Sequence, residues 1–69
     1  MTDSKRLKDM IRKSGLKYTY LAQKLGISYF ALKKKIENET EFKASEIQAI
    51  CDLLAISDLS LKENIFFGN

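Results

Sequence analysis

The stretch LAQKLGISYFALKKKIEN, from Leu21 to Asn38, decides the fold of this chain. Its pattern predicts two short helices that meet across a tight turn. Ala22 is small enough for the helices to cross closely, and Gly26 tolerates the positive φ that the turn requires. Ile27 supplies an apolar side chain beneath the turn. The stretch therefore predicts a helical pair whose crossing geometry is set by the turn.

The second helix of this pair has two chemically different sides. Ser28 is a natural N-cap, and we expect the helix to run to about Asn38 with Leu32 and Ile36 facing the core. Its outward N-terminal residues are aromatic or basic, namely Tyr29, Phe30, Lys33 and Lys34. A helix fits the DNA major groove, where such side chains reach base edges, thymine methyl groups and phosphates. This side is the candidate DNA-reading surface.

A simpler interpretation of the same residues exists. A run of lysines is usually a solvated helix face, so Lys33 to Lys35 alone favour DNA only weakly. DNA contact is favoured because several residues occur together at the spacing that a groove-reading helical pair requires. They are Ala22, Gly26, Ile27, Ser28 and Leu32.

The rest of the chain is also predicted to be helical, because the 69 residues include no proline and only three glycines. We predict a first helix over about residues 4–14 that ends at Gly15, and a second over about 18–25 that ends at Gly26. A fourth helix opens at Lys43 or Ser45, and a short terminal helix covers 61–67. The inward residues of the fourth helix are Ile47, Ile50, Cys51 and Leu54.

Composition limits the possible functions. With 69 residues, of which 45% are hydrophobic and 30% charged, residues 1–69 form one globular domain. The formal net charge of +3 is modest and matters only if the positive charge is concentrated. Lys17, Lys24, Lys33, Lys34 and Lys43 are the lysines that we expect to face phosphates together.

Several classes of protein are disfavoured. One cysteine and no histidine exclude a disulfide framework and a Cys/His zinc site, so we expect Cys51 to be a core residue and the protein to bind no metal or cofactor. The carboxylates Asp52, Asp58 and Glu63 are scattered, with no nucleophile elbow or phosphate-binding glycine loop nearby, so we expect no enzyme and no small-molecule substrate. Without an apolar run of about 20 residues, we expect a cytoplasmic protein.

The region from Leu7 to Phe67 resembles the lambda-repressor-like helix-turn-helix domain of the phage Cro/CI and Xre regulators. The chain is most similar to small regulators of Gram-positive phages and prophages over the stretch GLKYTYLAQKLGISYFALKKKIENETEFKASEIQAICDLL. The TEF, SEI and IFF stretches carry this similarity. The resemblance implies a compact all-α domain of five helices, with the helix-turn-helix formed by helices two and three. Its implied contacts are Ser28, Tyr29, Phe30, Lys33 and Lys34 on the recognition helix, Lys17, Tyr18 and Gln23 near phosphates, and Asn38, Thr40 and Lys43 in the following loop.

Two positions depart from the family pattern. Lys17 stands where many relatives have a helix-capping Thr or Ser, and Glu39 brings negative charge where they have Gly. The recognition positions also lack Gln, Asn and Arg, the residues best suited to bidentate base contacts, so the sequence predicts no particular operator.

These features predict a sequence-specific regulator of transcription that binds double-stranded DNA as a homodimer on a palindromic operator. The apolar terminus, Ile65, Phe66 and Phe67, either packs in the core or forms the dimer interface, and these residues are our interface candidates. The alternative function is a protein-interaction module, such as an antirepressor or antitoxin component, that docks an acidic protein on the same basic side.

Overall fold

The computed structural model describes residues 1–68, and within them five helices form an all-α fold, as the sequence predicts. The helices are α1 (Ser4–Ser14), α2 (Tyr18–Leu25), α3 (Tyr29–Ile36), α4 (Ala44–Leu53) and α5 (Leu59–Phe66). In this described part of the chain, no helix is both long and apolar enough to cross a membrane.

Two glycines end the first two helices, which confirms both predicted helix ends. Gly15 has φ 77° and Gly26 has φ 74°, in the left-handed region that strains other residues. After α2, the backbone N–H of Ile27 donates to the carbonyl oxygen of Ala22 at 3.0 Å. This bond closes the turn between α2 and α3 and sets the direction in which α3 leaves it.

The bounds of the later helices differ from the predicted ones. Helix α3 ends at Ile36 rather than near Asn38, because Asn38 adopts a left-handed φ of 66°. Helix α5 begins at Leu59 rather than Leu61, because the Asp58 carboxylate accepts hydrogen bonds from the backbone N–H groups of Ser60 and Leu61 at 2.8 and 3.3 Å. Leu54 caps the end of α4 and is only half-buried.

The core lies where the five helices meet, and each helix contributes to it. Its fully buried large side chains are Leu7, Ile11, Leu21, Leu32, Ile36, Ile50, Ile65 and Cys51. Burial of Cys51 confirms its predicted place in the core, and burial also raises the pKa of its thiol. The core further includes Phe66, whose ring meets that of Phe42 edge-on at 5.5 Å between centroids.

The start of the chain ties the end of α3 to the end of α5. The backbone N–H of Asp3 donates to Ile65 O at 2.6 Å, and that of Thr2 donates to Asn38 Oδ1 at 2.9 Å. The Asn38 amide in turn donates to Thr2 O and, at 3.1 Å, to Ser4 Oγ. We call residues 2–4 the N-terminal clasp, since they bind both helix ends at once.

Candidate nucleic-acid interface

Helix α3 has one side in the core and one side in solvent. Leu32 and Ile36 are fully buried, as predicted, so they fix the underside of the helix. Ser28 Oγ accepts the backbone N–H of Ala31 at 3.0 Å, which confirms the predicted N-cap. The opposite side presents Tyr29, Phe30, Lys33 and Lys34, all exposed. The structure therefore brings together the four predicted reading residues of α3 on its solvent side.

Three aromatic rings connect the start of α2 to the start of α3. Tyr18 lies 6.3 Å from Tyr29 between ring centroids, and Tyr29 meets Phe30 edge-on at 5.5 Å. Burial raises the pKa of Tyr18 above its ordinary value. A tyrosine phenol, which is protonated at neutral pH in any case, can donate a hydrogen bond to a phosphate oxygen. These contacts hold the N-terminal end of α3 against α2 and restrict the exposed rings.

Lys35 differs from its two neighbours in the lysine run. Its Nζ donates to Glu46 Oε1 at 2.8 Å and to the carbonyl oxygen of Glu41 at 3.1 Å. The two charged side chains are only 12% and 8% exposed. This ion pair joins α3 to α4, so Lys35 positions α3 and leaves Lys33 and Lys34 as its solvent-facing cations.

Positive charge is distributed unevenly over the molecule. On α1, cations pair with carboxylates: Lys8 with Glu37 at 2.5 Å, Lys13 with Asp9 at 3.0 Å, Arg6 with Asp3 at 4.0 Å, and Arg12 with Asp9. Within residues 1–68, ion pairs include none of the five lysines that the sequence assigns to phosphate contact. All five of these are exposed: Lys17, Lys24, Lys33, Lys34 and Lys43. Lys5 and Lys62 are the other cations outside the ion pairs.

The three predicted phosphate-contacting residues at or near α2 differ in exposure. Gln23 and Lys17 are exposed, and Tyr18 is half-buried. Lys17 occupies the N-cap of α2, where an ammonium has no acceptor atom to offer the helix. The positive end of the helix dipole and the Lys17 charge thus lie at the same end of α2, which favours an anionic partner there.

One of the predicted DNA-contacting residues in the loop after α3 also has a structural role. Asn38 is exposed, and its amide is hydrogen-bonded to Thr2 and Ser4 in the N-terminal clasp, so it has a structural role while its DNA contact stays a prediction. Thr40 and Lys43 are exposed and remain candidates too. Glu39, the unfavourable charge in this loop, is exposed as well.

Burial also corrects the predicted interface at the terminus. Ile65 is 0% and Phe66 3% exposed, so both belong to the core of the subunit and have little surface to offer a second copy. Phe67 is 59% exposed. Sequence reasoning missed Leu59, which is 67% exposed. A leucine within the polar turn SDLS was the available signal, because a helix-opening Asp58 puts Leu59 on the outer first turn of α5.

Tyr20 is a second residue that sequence reasoning missed. Its ring is exposed and lies beneath Lys24 Nζ, 5.6 Å from the ring centroid. The four-residue spacing of the two residues on α2 was the available signal, because such pairs share one side of a helix.

Comparison with known proteins agrees with this geometry. The family model of the Cro/C1-type HTH DNA-binding domain matches residues 6–59, more than three quarters of the chain. No curated protein matches the chain. No solved structure matches it either.

Proposed function

We propose that this chain, which belongs to the family of Cro/C1-type helix-turn-helix DNA-binding domains, is a sequence-specific regulator of transcription. The observation that carries the proposal is the outward side of α3, where exposed aromatic residues adjoin Lys33 and Lys34. In this function, α3 enters the major groove and presents that side to base edges. Regulation follows from occupancy of the DNA site, because a bound protein either covers a promoter or recruits other proteins to it.

The unpaired lysines supply the sequence-independent part of binding. Lys24 lies in α2, and Lys17 and Lys43 flank the helix-turn-helix in the sequence. Each carries a charge that no carboxylate in residues 1–68 compensates through an ion pair. Lysines that contact phosphates release condensed counterions, which drives association and orients the protein on the duplex. Ser28, Gln23, Tyr18, Asn38 and Thr40 complete the proposed set of contacts.

The first test is a mobility-shift experiment. Labelled duplex from upstream of the protein's own coding sequence, mixed with excess competitor DNA, should migrate as a retarded complex. The alternative function, docking of an acidic protein such as an antirepressor or antitoxin partner on the same lysines, gives no sequence-dependent retardation. Preference for one duplex over scrambled duplex of the same composition therefore separates the two.

Reading by α3 predicts a loss of specificity in two single variants. Lys33→Ala or Tyr29→Ala should reduce discrimination between a preferred duplex and random duplex by about 1–3 kcal/mol, because each removes a side chain that faces the bases. Competition binding measures this ratio, and circular dichroism checks the fold. Lys5→Ala is the matched control, since Lys5 is an exposed lysine on α1 outside the ion pairs. Unchanged specificity in folded Lys33→Ala and Tyr29→Ala proteins would show that α3 is not the reader.

A homodimer is the second part of the proposal. The exposed Leu59 and Phe67 border a groove of about 330 Å³ that is also lined by Ala44 and Ile47. Lys62 and Glu63 adjoin the same groove, so a two-fold axis across α5 can set the lysine of one copy against the glutamate of the other. To bind a palindromic operator, such a dimer has to present its two α3 helices to half-sites about one DNA turn apart, roughly 34 Å.

Self-association is then expected to depend on the two exposed apolar residues. Leu59→Ser and Phe67→Ser should shift sedimentation from dimer toward monomer and weaken operator binding, because an interface loses apolar contact while the buried Ile65 and Phe66 keep the fold. Phe30→Ser is the control for sedimentation alone, since it removes an exposed phenylalanine outside α5. A dimer that survives both substitutions, or a wild type that is monomeric even on DNA, removes α5 from the interface.

A further inference from the structure

Phe30 is the most exposed aromatic residue in the described part of the chain, with 73% of its surface accessible. It lies among the cations of α3, since Lys33 and Lys34 follow it by three and four residues and share its side of the helix. An exposed aromatic ring gains nothing from the hydrophobic effect until a partner covers it. The position of Phe30 therefore predicts that the partner bound by α3 carries an apolar group opposite this ring.

The Phe30 ring also has an aromatic neighbour within the protein. Tyr29 packs against it edge-on at 5.5 Å between centroids, and Tyr29 is itself supported by Tyr18 at 6.3 Å. Phe30 is the second residue of α3, and the first residues of a recognition helix are those that contact base edges. The ring thus lies at the end of the helix where bases are read, with one side against an aromatic neighbour and most of its surface open to a partner.

The chemistry of the major groove offers few apolar partners. The groups that bases expose there are ring nitrogens, carbonyl oxygens and amino groups, apart from the C5-methyl group of thymine. A phenylalanine side chain has no donor or acceptor and can therefore distinguish bases only through that methyl group. Resting on the proposed function, we propose that Phe30 reads the C5-methyl group of a pyrimidine, so that each half-site carries a methylated pyrimidine opposite this ring.

The test uses the full chain and a duplex that it selects from a randomised synthetic pool. Each thymine of the selected site is replaced in turn by uracil, which removes only the C5-methyl group. At one thymine per half-site, uracil should weaken binding by the wild type about fourfold. This factor corresponds to a free energy of about 0.8 kcal/mol for burying one methyl-sized group. Phe30→Leu, which keeps an apolar side chain, should show the same sensitivity. Phe30→Ala should bind thymine and uracil duplexes equally.

A second arm identifies the group that is read. At the sensitive position, a cytosine–guanine pair and its 5-methylcytosine counterpart differ only in the methyl group. The wild type should prefer the methylated duplex by about the same fourfold factor, while Phe30→Ala should not distinguish the two. Thymine sensitivity without this preference would mean that Phe30 does not read the methyl group itself.

The remaining outcomes also decide the proposal. If the pool yields an enriched site whose thymines all tolerate uracil, or if Phe30→Ala stays as sensitive as the wild type, the methyl assignment is wrong while sequence-specific binding stands. A ring that instead wedges between base pairs gives the first of these results. If no site is enriched from the pool, the assignment and the proposed function both fail.

Discussion

Affinity for duplex DNA is expected to fall about 500-fold per subunit as salt rises from about 50 to 200 mM. This 500-fold factor follows from five phosphate contacts per subunit, because the slope of log affinity against log salt concentration is about −0.9 per neutralised phosphate. The five lysines counted are the exposed ones that the sequence assigns to phosphates, and none of them forms an ion pair within residues 1–68: Lys17, Lys24, Lys33, Lys34 and Lys43. Fluorescence anisotropy with a labelled duplex at several salt concentrations measures the slope.

Matched variants separate the helix-turn-helix from the general positive charge of the protein. Lys34→Gln should make the slope less steep by about 0.9, whereas Lys5→Gln, which removes the same charge from α1, should leave it unchanged. Equal changes in the two variants would mean that net charge alone drives binding. A slope near zero in the wild type would remove phosphate contact from the mechanism altogether.

The ion pair between Lys35 and Glu46 should dominate the electrostatic part of stability. Glu46→Leu is expected to lower the free energy of unfolding by about 3 kcal/mol, because it leaves the nearly buried Lys35 ammonium without its counterion. For a chain of this length, such a loss is a large fraction of the total. Urea unfolding followed by circular dichroism measures it.

Two further variants make this expectation specific to a buried pair. Combining Lys35→Met with Glu46→Leu should recover most of the lost stability, since two apolar side chains replace both charges. Lys8→Met, which breaks the pair of Lys8 with Glu37, should cost less than about 1 kcal/mol because that pair is largely solvated. If Glu46→Leu is as mild as Lys8→Met, the pair between α3 and α4 is not a structural determinant.

The same carboxylate makes stability depend on pH. Burial alone raises the pKa of Glu46, but hydrogen bonds from Lys35 Nζ and from the Lys43 backbone N–H outweigh burial, and the pKa lies below its usual value. A lowered pKa in the folded state stabilises the protein above the usual glutamate pKa of about 4.3. This contribution is lost as pH falls through the lower pKa of the folded state, and it should be missing from the double variant.

The parts of the fold that sequence predicts well are those set by local chemistry. Gly15 and Gly26 end their helices at the predicted positions because a left-handed residue terminates a helix wherever it stands. Ser28 caps α3 by a bond that spans three residues. The inward Leu32 and Ile36 follow from helical periodicity. Each of these features depends on neighbours within a single turn or helix.

The features that sequence reasoning missed depend on residues far apart in the chain. The structural role of Asn38 was missed because nothing in its neighbourhood shows that Thr2, 36 residues earlier, binds its amide. The sequence leaves Ile65 and Phe66 open between the core and an interface, because their burial depends on how α5 packs against the remaining helices. Lys35 is distinguished from Lys33 and Lys34 only by Glu46 on another helix.

The N-terminal clasp has a consequence for the order in which the molecule is completed during synthesis. Thr2 and Ser4 are synthesised before Ile65, yet the backbone bond that anchors their segment requires Ile65 in α5. A nascent chain that has grown only through α4 already contains α2 and α3, but the segment that grips the end of α3 still lacks its attachment to α5. During translation, the segment that binds the end of α3 can therefore be anchored only after α5 has emerged.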